Sequence, residues 1–217
     1  MAREEDLRRV LDCGIVAVVR STESAPLVDV CRALVAGGID VAEITFTVPD
    51  ALDVLKATRK ALGDRILLGA GTVLDAETAR AAFLAGAEYL VSPTLDLDVI
   101  RMARRYGKLV MPGCFTPTEA LQAWQAGADI IKVFPAELLG PGFFKAMRGP
   151  LPQIRLMPTG GVDLKTAHSF LEAGACCLGL GSQLIDPKAV AARQFDIISE
   201  TARKYRDIVK AYRASQK

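Results

Sequence analysis

Lys132 stands in Asp129-Ile130-Ile131-Lys132-Val133-Phe134-Pro135, a β-branched run that otherwise reads as a buried strand. Side chains alternate along a strand, so Lys132 shares one face with Ile130 and Phe134. An ammonium buried there without a partner is costly, and the usual escape is a depressed pKa. At a free-lysine pKa of ~10.4 only about one amine in 2,500 is neutral at pH 7, so burial makes the nucleophile abundant. A neutral amine in an apolar site attacks a ketone and forms a Schiff base. The bland alternative is a strand-end lysine that snorkels to solvent.

Other polar residues cluster at strand ends. Glu43, Thr45 and Thr47 share one face of a second strand, with Ile44 and Phe46 on the other, and Arg20 ends the run Ile15-Val16-Ala17-Val18-Val19. If the parity holds, Glu43 and Lys132 face the same interior. A protonated imine draws electrons from the adjacent carbon, and a C–C bond one carbon further out then breaks when a base takes the hydroxyl proton. Glu43 is the acidic residue placed to do so. Arg20 or the threonines would hold a carboxylate beside the ketone. These parts suit a class I aldolase acting on a phosphorylated 2-keto acid. Glu43 as the ion-pair partner of Lys132 or Arg20 is the structural alternative.

Two glycine-rich strand ends, Pro158-Thr159-Gly160-Gly161-Val162-Asp163 and Gly179-Leu180-Gly181-Ser182, lead into helices and present backbone N–H groups to an anion. Two such turns on these strands favour a phosphate site there, and Thr159 is a candidate substrate contact. Gly69-Ala70-Gly71-Thr72, Ser92-Pro93 and Pro112-Gly113-Cys114 end the third, fourth and fifth strands. Singly, these threonines and glycines suit ordinary packing, and Cys114 is read as packing.

The elements that must position these residues follow a glycine beat: Gly37, Gly63, Gly86, Gly107, Gly127, Gly149 and Gly174, spaced 20 to 26 residues apart. Glycine after a helix supplies a left-handed cap before the chain turns into a strand. Strands are predicted at 15–20, 41–46, 66–70, 89–92, 108–112, 129–134, 154–159 and 177–180, and helices fill the intervals, as at Ser24 to Ala36, Ala76 to Ala85 and Leu164 to Ala173. Eight βα units with apolar strands predict parallel pairing covered by helices. The fold expected is an α/β (β/α)8 TIM barrel forming one domain over residues 1–217, with an open doubly wound sheet second. A C-terminal amphipathic helix follows, its stripe Phe195, Ile198, Ala202, Tyr205, Val209 and Tyr212 packing on the barrel or a neighbouring subunit.

Composition narrows the partners. Lys and Arg number 27 against 25 Asp and Glu, which argues against nucleic acid or an anionic membrane as partner. No apolar stretch approaches a membrane span, and the acidic start (Glu4, Glu5, Asp6) suits neither a signal nor a transit peptide. The five cysteines form no C-x-x-C pair, so a reduced, cytoplasmic setting is expected. One histidine, His168, lies in a predicted helix in a surface or packing role; neither a metal site nor a cofactor is expected.

Glu43-Ile44-Thr45-Phe46-Thr47-Val48-Pro49, Gly69-Ala70-Gly71-Thr72-Val73, Val91-Ser92-Pro93, Met111-Pro112-Gly113, Lys132-Val133-Phe134-Pro135 and Pro158-Thr159-Gly160-Gly161-Val162 occur in order. From about Ile15 to Ser182 the chain thereby resembles the 2-keto-3-deoxy-6-phosphogluconate (KDPG) aldolase and 4-hydroxy-2-oxoglutarate aldolase family. The resemblance implies a Schiff-base lysine at Lys132, an acid–base glutamate at Glu43, pyruvate-site roles for Thr72, Pro93 and Phe134, and a phosphate site at Gly160, Gly161, Gly181 and Ser182. It implies pyruvate and glyceraldehyde 3-phosphate as products, an Entner–Doudoroff type pathway, and a homotrimer. Some members carry an arginine four residues after the glutamate to hold the carboxylate; here that position is Thr47, and Arg20 is expected to replace it. Related enzymes cleave the galactonate epimer or unphosphorylated 4-hydroxy-2-oxoglutarate. Two further readings compete: a phosphate-binding barrel isomerase or epimerase using Glu43 as base without a covalent step, and a non-catalytic sugar-phosphate binding subunit.

Overall fold

Every strand residue is buried, as parallel strands packed beneath helices require. In this computed structural model, which describes residues 2–216, helix α1 (Ala2–Cys13) precedes β1 (Ile15–Val19), α2 (Leu27–Ala36), β2 (Val41–Thr45), α3 (Ala51–Leu62) and β3 (Leu67–Gly71). There follow α4 (Ala76–Leu84), β4 (Tyr89–Val91), α5 (Leu97–Arg105), β5 (Leu109–Met111), β6 (Gly113–Cys114), α6 (Pro117–Gln125), β7 (Ile131–Val133) and α7 (Ala136–Arg148). The chain closes with β8 (Leu156–Pro158), α8 (Ala167–Glu172), β9 (Leu178–Leu180), α9 (Pro187–Ala191) and α10 (Phe195–Ala214).

The sheet is parallel and curled. Six strands run in the order β5-β4-β3-β2-β1-β9, and β6-β7-β8 form a second set. The sequence predicts one strand over 108–112, whereas β5 and β6 are separate; Pro112 lies between them and has no N–H to give the ladder. Its carbonyl still accepts from Lys132 N–H at 2.9 Å. Thr159, just past β8, bridges to Gly179 of β9.

Local chemistry sets the helix starts. Asp75 and Asp96 accept from the N–H groups of Thr78 and Val99, and Thr116 with Glu119 forms a full capping box. The left-handed glycine is found at 63, 86, 107, 127 and 174, but after α2 it is Gly38, not Gly37, and Gly149 is right-handed. Gly37 serves close approach instead: a Cβ there would lie 2.4 Å from Ala202 Cβ on α10. Ser199 Oγ donates to Ala33 O nearby at 2.9 Å. Ile198, Ala202, Tyr205 and Val209 are buried, and α10 packs against α2 and α8 of its own chain.

Helix α1, not anticipated from the sequence, is held by Arg206 and Arg213 of α10, which donate to the carbonyls of Leu11, Asp12 and Cys13 at its C-terminal end. Its other end is tied by Arg3, whose Nε and Nη2 reach Asp129 Oδ1 at 2.9 and 2.8 Å. Asp129 Oδ2 also accepts from Val110 N at 3.0 Å. Asp129→Ala orphans that buried N–H, and is expected to lower stability by about 2–3 kcal/mol, read as a lower urea midpoint.

All five cysteines are free. His168 is exposed, with its ring 6.0 Å from that of Tyr212 and Nδ1 3.6 Å from Glu172 Oε2, consistent with a surface role. Among the described residues no helix is long and apolar enough to cross a membrane, and no group of three or more His, Cys, Asp or Glu could hold a metal ion.

Candidate active site

The strand registers place the chemistry on the concave face of the curled sheet. Glu43 pairs with Val18 on β1 and with Gly69 on β3; Lys132 pairs with Gly113 on β6 and Met157 on β8. Adjacent residues in parallel register point the same way, so these side chains share one face. Both charged groups are buried, Glu43 at 1% exposure and Lys132 at 6%. Lys132 Nζ lies 5.1 Å from the centroid of the Phe134 ring.

Among the described residues neither carboxyl oxygen of Glu43 finds a hydrogen-bond partner, and neither does Thr159 Oγ1. Buried polar atoms are normally satisfied, so such orphans mark a place where the protein gives up stability for something else. Burial raises the Glu43 pKa, opposed by the positive charges of Lys132 and Arg20. Burial lowers the Lys132 pKa; Glu43 pulls it back up and Arg20 pushes it further down. The pair therefore holds a carboxyl poised to carry a proton beside an amine inclined to lose one. A structural ion pair would show direct contact between them, which the unpartnered Glu43 oxygens do not make.

A cavity of ≈ 740 Å³ opens above this pair, lined by Arg20, Thr47, Lys132, Phe134, Thr159, Gly160, Gly161, Gly181 and Ser182 among others. Nine residues singled out from the sequence therefore meet at one opening. Glu43 lies beneath it, and Thr72 and Pro93, both half-buried, sit outside its wall. Pro93 is nevertheless close: a Cβ on Gly113, the register partner of Lys132, would lie 2.2 Å from the Pro93 carbonyl. Arg20 and Thr47 are exposed, and Thr47 Oγ1 is 2.8 Å from buried Thr45 Oγ1.

At the far end Gly160 and Gly161 have φ of 89° and 74°, left-handed values that favour glycine. Among the described residues, no hydrogen bond within the chain uses the N–H groups of Gly161, Ser182 or Gln183. Three free donors around one end of a cavity suit an anion's oxygens. Sequence reasoning missed Ser21, Thr22, Glu23, Glu137 and Gln183 in the lining. Glu137 approaches through space only, the Cβ that Gly161 lacks falling 2.3 Å from Glu137 Cβ, so no local pattern signals it. Cys114, by contrast, is inert packing, since burial pushes its thiol up to about 12.

Thr72 has φ 58°, a left-handed conformation that is a genuine outlier for a β-branched residue. Thr72→Gly is expected to stabilise the fold by about 1 kcal/mol while lowering kcat/KM, the two effects being read by urea unfolding and by turnover. A loss of stability instead would show that the strain is not stored there.

The family described as KDPG and KHG aldolase matches residues 7–201. A 2-dehydro-3-deoxy-6-phosphogalactonate aldolase of Escherichia coli K12 is 35% identical over 92% of this chain and 94% of its own. A 2-dehydro-3-deoxy-phosphogluconate aldolase of Treponema pallidum is 34% identical over 94% of this chain and 96% of its own. The crystal structure of the Legionella pneumophila KDPG aldolase, with pyruvate captured as a covalent carbinolamine, superimposes with a TM-score of 0.83 at 26% identity, covering 91% of this chain and 96% of that one. With a buried lysine and an unpartnered glutamate under the cavity, and a match spanning nearly the whole sequence, this chain belongs to the KDPG and KHG aldolase family.

Proposed function

We propose that this protein is a class I aldolase that cleaves 2-keto-3-deoxy-6-phosphogluconate to pyruvate and glyceraldehyde 3-phosphate, and also 4-hydroxy-2-oxoglutarate to pyruvate and glyoxylate. The observation that carries this reading is the pair Lys132 and Glu43, both buried on one concave face, with the glutamate oxygens unpartnered. Neutral Lys132 Nζ attacks the ketone carbon, and loss of water leaves a protonated imine. Glu43 takes the C4 hydroxyl proton, the C3–C4 bond breaks, and its electrons flow into the imine to give an enamine and a free aldehyde. Protonation of the enamine carbon and hydrolysis then release pyruvate and restore the amine.

In this reading Arg20 holds the substrate carboxylate in place of an arginine at position 47, supported by its place on the cavity wall. Thr47, Phe134 and Thr159 on the cavity wall complete the substrate contacts, Thr72 and Pro93 support the pyruvate end from behind that wall, and the N–H groups around Gly160, Gly161, Gly181 and Ser182 receive the phosphate. The galactonate epimer is a second substrate reading, favoured by the 35% identity to the Escherichia coli phosphogalactonate aldolase. Assaying both epimers side by side separates the two. We further infer that the two strand sets close into one single-domain (β/α)8 barrel across the Pro112 interruption and the Thr159–Gly179 bridge. The protein acts in the cytoplasm as a homotrimer, a state that light scattering would read as three chain masses.

The test is intact-mass spectrometry after incubation with pyruvate and sodium borohydride, followed by peptide mapping. One reduced pyruvyl adduct on Lys132 is expected. No adduct, under conditions that label a known imine-forming aldolase, would overturn the covalent mechanism in favour of an isomerase or epimerase using Glu43 as base.

A further inference from the structure

Beside the groups used above, one more polar side chain on the concave face has no partner. Tyr89 on β4 is fully buried, and its hydroxyl makes no hydrogen bond among the described residues. Registers place it in one row with the acid–base residue: Glu43 pairs with Gly69, and Gly69 pairs with Tyr89. The Tyr89 ring lies across the intervening glycine, since a Cβ at Gly69 would stand 2.3 and 2.4 Å from ring carbons Cε2 and Cζ. The phenol thus extends over β3 towards β2. The Glu43 side chain leans over the same strand, its carboxyl carbon 2.8 Å from where a Gly71 Cβ would be. Two glycines clear the floor between a phenol without an acceptor and a carboxyl without a donor.

Resting on the aldolase reading, we propose that Tyr89 is a positioning residue for Glu43, its hydroxyl serving the carboxylate as hydrogen-bond donor, directly or through one water. A phenylalanine would fill the same apolar space without leaving an unsatisfied hydroxyl, so packing alone does not account for a tyrosine here. The charged groups that act on Glu43 are Lys132 and Arg20, while Glu43, Cys13, Cys31 and Cys177 are the titratable groups that act on Tyr89. After burial, the Glu43 charge is the largest influence raising the Tyr89 pKa, so the phenol keeps its proton and remains a donor. Among the described residues neither cation bonds Glu43 directly, and the Tyr89 hydroxyl, unbonded itself, is the neutral donor that shares its row.

The experiment is the pH dependence of kcat for the full chain and for Tyr89→Phe, with 2-keto-3-deoxy-6-phosphogluconate as substrate. Any contribution of Lys132 to the acid limb is common to both proteins, so the difference between their limbs reports Glu43. A donor to the charged form lowers a carboxyl pKa, and its loss raises it. The acid limb of Tyr89→Phe is therefore expected to move up by about one pH unit, tenfold in acidity or ~1.4 kcal/mol, with KM within about twofold of wild type. Superimposable acid limbs would overturn the proposal. Fluorotyrosine incorporation, which strengthens the donor without altering the fold, should move the limb down; no movement there likewise sinks the idea. Borohydride labelling of Lys132 in the wild-type protein tests the aldolase reading separately, because imine formation does not depend on Tyr89.

Discussion

Lys132→Met is expected to abolish turnover, by ~10⁴- to 10⁶-fold in kcat, and to give no reduced adduct with pyruvate and borohydride. Methionine keeps the unbranched apolar stem, so the strand and its register with Gly113 and Met157 are expected to persist. The same variant should be more stable at neutral pH. Burial lowers the Lys132 pKa, so the native state binds fewer protons than the unfolded chain, and wild-type stability rises with pH up to the ordinary lysine value of 10.5. Below the lowered native pKa the full penalty for burying the ammonium is present, and methionine removes it. Thermal unfolding of both proteins at neutral pH and near pH 10.5 measures this: the gap should be wide at neutral pH and narrow at high pH. A variant that still turned over at wild-type rate would remove Lys132 from the mechanism.

Glu43→Gln is expected to lower kcat by ~10²- to 10⁴-fold while leaving the Lys132 adduct intact. Glutamine preserves shape and loses the ability to take a proton. The glutamate charge holds the Lys132 pKa up, so its removal lets that pKa fall further and the amine is more often neutral. Labelling at pH 7 should therefore be undiminished even as cleavage collapses. This separation of imine formation from C–C cleavage distinguishes a base from a structural partner, whose loss would impair both together. The stability consequence follows from burial. The native Glu43 pKa is raised above its ordinary 4.5, so the native state binds the extra proton and wild-type stability falls as pH rises from 4.5 through the raised value. Glu43→Gln should be more stable than wild type above that window and equal to it at pH below 4.5, as urea midpoints across the range would show.

The same electrostatics explain why the site is built from so few charges. Lys132 and Glu43 oppose each other's burial shifts, and Arg20 favours both the neutral amine and the ionised carboxylate. Arg20 itself lies exposed on the cavity wall. At the far end of the cavity backbone donors replace cations, and Glu137 beside Gly161 adds negative charge close to where an anion would sit. Those dipoles are fixed by two left-handed glycines, which carry no side chain and so no positive charge.

By itself the sequence determined what short-range physics sets. A β-branched run interrupted by one lysine announced both the strand and its reactive group, and alternation put Glu43 on a definite face before any neighbour was known. Glycines punctuated the helices to within a few residues, with Gly37 and Gly38 exchanged because the close approach of α10 claimed the first of them. What only the tertiary structure decided depends on registers between segments far apart in the chain. The row Glu43–Gly69–Tyr89 exists because three strands pair in that alignment, and a slip of one residue would turn Tyr89 to the other face. Helix α1 takes its place through Arg206 and Arg213, nearly two hundred positions away. That the oxygens of Glu43 lack partners is likewise a property of the surroundings, since satisfaction of a buried group depends on every atom within reach and not on the residue's own neighbours in sequence.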